Sequence, residues 1–273
     1  MRKQKFGIIL PIILISYFMI VLDDSIIFTS TDKIAADLSI STQTLAWVTN
    51  AYALTFGGLL LFFGKIGDVI GRKFMFLTGL MTFSVSSLLV GISFNEGMII
   101  AMRAIQGIGA AILAPTTLSL LMDNYSDGMR IKAIALYGAT GGFASSVGLI
   151  VGGIITTFFN WRIGFFINSP IGIILFLLAI KYIRNNDTNH ERVDILGTIL
   201  SIVGLSAFVY SIDGSNHRVL LFVVAIIALT LFVLQEGHST VAITPLKLFH
   251  DGERSFAYLS RFFSWQQVLL ISS

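Results

Sequence analysis

Long apolar runs separated by short polar islands organise this chain. The runs predict membrane-spanning helices over Ile8–Phe28, Ala46–Phe63, Phe74–Phe94, Met98–Met122, Ala133–Phe159, Ile163–Ile183, Ile195–Ile212 and Val219–Gln235. Each is near the ~20 residues that a helix needs to cross ~30 Å of hydrocarbon. A ninth apolar stretch opens near Phe256 and runs to Ser273, and Thr244–Phe249 has the spacing of a helix lying along the membrane surface. The sharpest island is Gly64-Lys65-Ile66-Gly67-Asp68-Val69-Ile70-Gly71-Arg72-Lys73, read as a tight turn whose three glycines permit unusual backbone angles. The first apolar run is longer than the ~7–15 residues of a secretory signal and no small-x-small cleavage site follows it, so it is read as a retained span.

The distribution of cations orients these spans. With the N-terminus inside, cytoplasmic segments hold about thirteen Lys and Arg and outer loops only Lys33, Arg162 and Arg218, the bias that fixes membrane topology. Arg184–Asp194 then reads as a cytoplasmic link, which divides the chain into 1–185, a six-helix bundle, 186–240, the link with two more helices, and 241–273, an amphipathic linker with the start of another bundle. Composition agrees: 55% of the 273 residues are hydrophobic and 12% charged, with mean hydropathy +0.85, against about 25% charged in a soluble domain. The net charge of +3 comes from loop lysines and arginines and forms no basic face for phosphates, which argues against a nucleic-acid partner. There is no cysteine. His190, His217, His238 and His250 are scattered in or beside loops and read as solvated surface. With no nucleophile–base pair, metal spacing or phosphate loop, neither enzyme chemistry nor a metal or cofactor is expected.

Charge inside hydrocarbon is the chemical signal. It costs on the order of 2.5–3.5 kcal/mol per residue even on lenient insertion scales, yet Asp23 and Asp24 stand in the first span and Arg103 in the fourth. Asp23 lies about 22 Å along its helix from Ile8, and Arg103 about five residues below the outer end of an oppositely running one. Both fall ~8 Å from the outer face, a level at which acid and guanidinium can pair. A nearby cation favours the carboxylate and burial favours the acid, so a movement that separates the two drives proton uptake. Asp23 is therefore the candidate proton carrier, Arg103 the group that tunes it, and Asp24 a secondary candidate nearer water. A static ion pair, or an Asp capping a helix end, is the alternative. Asn50, Tyr52, Gln106 and Asn168 are polar groups within apolar spans and candidates for a substrate cavity, in which an acid and aromatic walls suit a lipophilic cation. Interhelical hydrogen bonding, worth ~0.6 kcal/mol on average, is the preferred reading for Gln106 and Asn168. Trp47 and Trp161 read as interfacial belt residues. Gly138, Gly141, Gly142, Gly148, Gly152 and Gly153 in the fifth span allow close helix approach, for packing or for gating.

The pattern G-K-x-G-D-x-x-G-R-K after the second span resembles the loop that marks the major facilitator superfamily of secondary transporters. Leu22-Asp23-x-Ser25-Ile26, Trp47-Val48-x-x-Ala51-Tyr52-x-Leu54 and Arg103-x-x-Gln106-Gly107-x-Gly109-Ala110 extend the likeness. So do Trp161-Arg162, Phe165-Phe166-Ile167-Asn168-x-Pro170-Ile171-Gly172 and Pro245-Leu246-x-Leu248-Phe249. Together they are similar to its fourteen-helix drug:proton antiporter branch. The resemblance implies an all-α polytopic fold of two six-helix bundles with two inserted helices, here Ile195–Ile212 and Val219–Gln235. It implies efflux of lipophilic or cationic drugs across the cell membrane, powered by the proton gradient with no bound cofactor. Gly64, Lys65, Gly67, Asp68, Gly71, Arg72 and Lys73 would then form a cytoplasmic latch against a helix end of the opposite half, and Gly138, Gly142, Gly148, Gly152 and Gly153 the antiporter motif. Three departures stand out: Leu149 replaces that motif's proline, Phe28–Lys33 is more polar than usual and lacks a helix-ending proline, and Ser25 stands where Thr is common. The chain resembles little more than half of such a transporter, so its partners would be the bilayer, protons, a small substrate and a missing C-terminal half. The expectation is a truncated chain with little independent transport. A non-transporting membrane remnant or subunit, or a small-solute uniporter or symporter, are the alternatives.

Overall fold

A computed structural model describes residues 6–184, 194–212 and 217–239, apart from the side chains of Thr42 and Ile212. The chain divides into two compact units, Met1–Glu191 and Arg192–Ser273. The first holds α1 (Ile9–Leu38), α2 (Thr42–Ile70), α3 (Arg72–Gly91), α4 (Glu96–Asn124), α5 (Asp127–Phe158), α6 (Arg162–Phe166) and α7 (Asn168–Tyr182), the last two forming one span around Ile167. The second holds α8 (Ile195–Ile212) and α9 (Arg218–His238). Thr244–Phe249, the ninth apolar stretch with Arg261, and His190 and His250 lie outside the described residues.

Helix ends explain where the hydropathy pattern misplaced the turns. The first helix does not stop at Phe28: it continues through Thr29, Thr31, Asp32 and Lys33 to Leu38 and ends with Ser39 in the left-handed region (φ 54). No proline interrupts it, and the Thr29 and Thr31 hydroxyls donate back to Ile26 O and Phe28 O, at 2.9 and 3.1 Å. The extra polarity is thus absorbed locally. The island from Gly64 to Lys73 is not a ten-residue turn either. Helix α2 runs on to Ile70, Gly71 alone breaks it (φ 111), and α3 begins at Arg72. Of the island's three glycines only Gly71 uses glycine's access to positive φ. Ser41 and Asn95 cap α2 and α4 by accepting from Thr44 N (3.1 Å) and Met98 N (2.8 Å), each satisfying a backbone donor that the helix leaves free.

Small residues set the packing. Helix α4 is central, lying against α2 and α3, while α5 lies along α1 and α7 against α3. A methyl group at Gly109 of α4 would come within 2.5 Å of the Phe83 backbone N on α3, and one at Gly148 of α5 within 2.5 Å of Ser25 Cβ on α1. Such approaches drive association in lipid, where apolar burial gives little. Two apolar clusters fill the interior. One gathers Ile13, Ile20, Phe76, Leu113 and Leu175; the other gathers Ile27, Ile34, Val90, Ile99, Trp161 and Phe165. Along α1 the two meet at Asp23.

In the second unit α8 and α9 pack side by side, with Gly204 against Leu229. Asp194 caps α8: its Oδ1 accepts from Gly197 N at 2.8 Å and its Oδ2 from Gln235 Nε2 at 3.2 Å. Burial opposes charge on Asp194, but the Gly197 N–H, the Gln235 amide and Ser239 outweigh it and hold the carboxyl below its ordinary range. His238 lies in the last turn of α9 and His217 at its N-cap, both exposed.

Candidate functional site

Asp23 sits midway along α1 with 1% of its side chain exposed, and Arg103 of α4 is fully buried. Asp23 Oδ2 accepts from Arg103 Nη1 at 2.8 Å. Its Oδ1 accepts from Gln106 Nε2 at 2.9 Å and from Asn168 Nδ2 at 2.7 Å. Arg103 and Gln106 are three residues apart and share a face of α4, so Gln106 Oε1 also accepts from Arg103 Nη1 at 2.9 Å. Arg103 Nε donates to Val48 O at 3.2 Å, and the guanidinium lies 4.2 Å from the Tyr52 ring centroid. Asn168 Nδ2 donates its second proton to Ser87 Oγ (2.9 Å), which donates to Phe165 O (2.9 Å). Helices α1, α2, α3, α4, α6 and α7 thereby converge on one carboxylate. Charge-assisted bonds of this kind are roughly twice as strong as neutral ones and offset part of the cost of burying both ions. Tyr52 Oη, Arg103 Nη2 and Asn168 Oδ1 are buried without a hydrogen-bond partner among the described residues.

This arrangement revises several sequence expectations. Gln106 and Asn168 make the interhelical hydrogen bonds expected of them, both amides donating to Asp23, whereas Tyr52, read as a cavity group, is buried with its ring covering Arg103. Asn50 is half-buried on α2 and stands outside the cluster. Asp24 is half-buried beside it, within Coulombic reach of Arg103 but not in the hydrogen-bonded set. Asp23 is also not near the outer end of α1, which runs another 15 residues to Leu38, about 22 Å of helix. Trp161 is buried rather than in a lipid-facing belt: its indole N–H donates to Asp37 Oδ2 (3.1 Å), which also pairs with Arg162 at 2.8 Å. Among the α5 glycines, Gly148 and Gly152 press on α1 and Gly141 touches Tyr17, whereas nothing lies within 4 Å of a methyl built on Gly138, Gly142 or Gly153. Those three do not pack this bundle.

A second cluster stands where α2 gives way to α3. Arg72 Nη2 pairs with Asp68 Oδ1 at 2.8 Å, and Nη1 with Asp123 at the end of α4, while Nη1 also donates to Ser119 O at 3.3 Å. Lys73 Nζ donates to Ile180 O of α7 at 2.8 Å. The expected latch residues are thus tied to α4 and α7 of their own bundle. Gly64 and Gly67 are helical and face Pro115 and Thr116 of α4, and Lys65 shares α2 with them. Sequence reading missed Asp123 and Ser87. Asp123 closes a span with an unexplained carboxylate, but nothing in the spacing ties it to Arg72, 51 residues away. Ser87 follows Ser86 in the middle of a span, the one visible hint of a polar contact there.

Seven described helices are long and apolar enough to cross a membrane, and the sequence matches the model of the Major Facilitator Superfamily over residues 13–271. The chain belongs to that superfamily. It is a multi-pass membrane protein. It is 35% identical to the puromycin resistance protein pur8 of Streptomyces alboniger over 83% of its own length and 47% of that protein's. It is 30% identical to the multidrug transporter protein MdtP of Bacillus subtilis over 96% and 50%. The chain spans about half the length of the curated relatives it matches. A solved peptide transporter, POT, shares the fold at TM-score 0.60 and 14% identity, covering 86% of this chain and 59% of that one.

Proposed function

We propose that this chain forms the proton-coupling wall of a superfamily transporter that exports lipophilic or cationic drugs in exchange for protons. One observation carries the reading: a buried carboxylate, Asp23, bound directly to a buried guanidinium, Arg103. While Asp23 is ionised the two charges cancel. Drawing Arg103 away leaves an uncompensated anion in a low-dielectric site, which a proton from outside then neutralises. Return of Arg103 expels that proton. A cationic substrate competes for the same carboxylate once Arg103 has left it, and the Tyr52 ring that Arg103 covers in this structure then offers an aromatic face. The relatives named for puromycin resistance and multidrug transport support this substrate class, and the excess of Lys and Arg on one side supports a cytoplasmic N-terminus in the cell membrane. A second bundle, within the length by which the relatives exceed this chain, would complete the path, with Arg72, Asp68 and Asp123 latching its cytoplasmic edge.

The test is drug-dependent collapse of a pH gradient in everted membrane vesicles containing the chain. Asp23→Asn is expected to abolish the response. An unchanged response in that variant removes Asp23 from the coupling, and no response from the unsubstituted chain removes activity from this polypeptide alone.

A further inference from the structure

Among the described residues, the groups hydrogen-bonded to the Asp23 carboxylate are all donors: Arg103 Nη1 on Oδ2, Gln106 Nε2 and Asn168 Nδ2 on Oδ1. That set suits the ionised acid and leaves the protonated acid, which must donate its O–H, facing only other donors. Arg103 has no acceptor to offer. Gln106 has one, Oε1, but it already accepts from Arg103 Nη1, so turning that amide would set nitrogen against nitrogen. Asn168 differs, because its Oδ1 is buried and idle. Carbonyl and amino ends of an amide are nearly the same size, so it can turn over in place, at the cost of moving its two N–H groups off Asp23 and Ser87 into the position that Oδ1 now holds.

We propose that Asn168 is a two-position partner of Asp23, its nitrogen serving the carboxylate and its oxygen, after a half-turn about χ2, serving the carboxylic acid. The proposal rests on the reading of Asp23 as the proton site. When a proton arrives on Oδ1, the Asn168 Oδ1 turns in to accept it. Ser87 now faces an acceptor instead of a donor, so its hydroxyl swings from Phe165 O to Asn168 Oδ1. Protonation on α1 is thereby registered on α3 and at the α6–α7 junction through two rotating groups. Among the described residues, the other ionisable groups facing Asp23 are Asp24 on α1, Arg103 on α4 and Tyr52 on α2. Arg103 has no acceptor, and the Tyr52 hydroxyl makes no hydrogen bond to Asp23. Asn168 is a positioning residue, acting through Asp23.

pH-difference infrared spectroscopy of the chain in lipid nanodiscs, carrying isotope-labelled asparagine, tests this directly. On acidification a carboxylic-acid band of Asp23 should appear, and in step with it one asparagine side-chain carbonyl should move to lower frequency as it becomes hydrogen-bonded. Both changes should vanish in Asp23→Asn. In Asn168→Leu the acid band should remain while the asparagine shift is lost, and Ser87→Ala should shrink that shift without removing it. An acid band with no accompanying asparagine shift in the unsubstituted chain overturns the proposal whether or not any variant folds. Absence of the Asp23 acid band overturns the proton-site reading itself, an outcome the spectrum keeps separate.

Discussion

Arg103 and Arg72 both bind carboxylates of this bundle, and their surroundings differ in kind. Arg103 and Asp23 are 0% and 1% exposed, whereas Arg72, Asp68 and Asp123 retain 25%, 39% and 27% of their side-chain exposure. At the Arg72 site water shares the charges, and each pair is worth ~0–1 kcal/mol. At the Arg103 site both groups are cut off from bulk solvent, so removing one partner strands the other in the buried interior, a loss of ~3–5 kcal/mol. The same residue types thus fasten a helix end in one place and make a charge-sensitive centre in the other.

The largest expected effect breaks the comparison most directly. Arg103→Ala should lower stability in detergent by ~3–5 kcal/mol, and the double variant Asp23→Leu/Arg103→Met should recover most of that. Arg72→Ala should lose no more than ~2 kcal/mol over its two pairs. Equal losses in the two single variants, read by denaturant titration, would erase the distinction. A second contrast concerns the seams between helices. Gly148→Ala should cost ~1–3 kcal/mol through overpacking against Ser25, while Gly138→Ala, open on that side, should be neutral or stabilise by ~0.5–1 kcal/mol.

Asp194 sharpens the comparison as a buried carboxylate held by neutral donors rather than a cation. Its lowered folded-state pKa means that its contribution is complete above the ordinary Asp value of ~3.9 and is lost as pH falls through the lowered one. Asp194→Ala should therefore cost ~1 kcal/mol at neutral pH and little in strong acid, as followed by helix melting. The smallest effect is expected at Asp123→Asn, at most ~1 kcal/mol. Raising salt should shrink it further, because exposed pairs are screened, and should leave the Arg103 loss unchanged.

Much of this was legible in the hydropathy pattern, for a physical reason. Hydrocarbon makes burying polarity expensive, so a charge such as Asp23 or Arg103 within an apolar run announces itself. The existence and order of the helices follow from the same rule. Their ends do not, because a Thr that bonds its own helix, as Thr29 does, looks like a loop residue in sequence, and because a single glycine such as Gly71 suffices for a turn. Of the pairings between distant helices, that of Asp23 with Arg103 was visible from matched depth, but the particular partners of the neutral polar residues and of Asp123 were not. Ser87, Asn168 and Asp123 are ordinary polar residues until packing brings a partner to them, and the unoccupied oxygen of Asn168 is a fact of three dimensions only.

One helix takes part in both charged centres. Arg103 and Gln106 project from the early part of α4 and Ser119 and Asp123 from its end, with Pro115 between. The 20 positions from Arg103 to Asp123 make a ruler of about 30 Å, and adding or deleting one residue would swing one set of contacts by ~100° against the other. Side chains on the outer face of that segment can vary freely, but its residue count cannot. Length rather than composition is the quantity held fixed there.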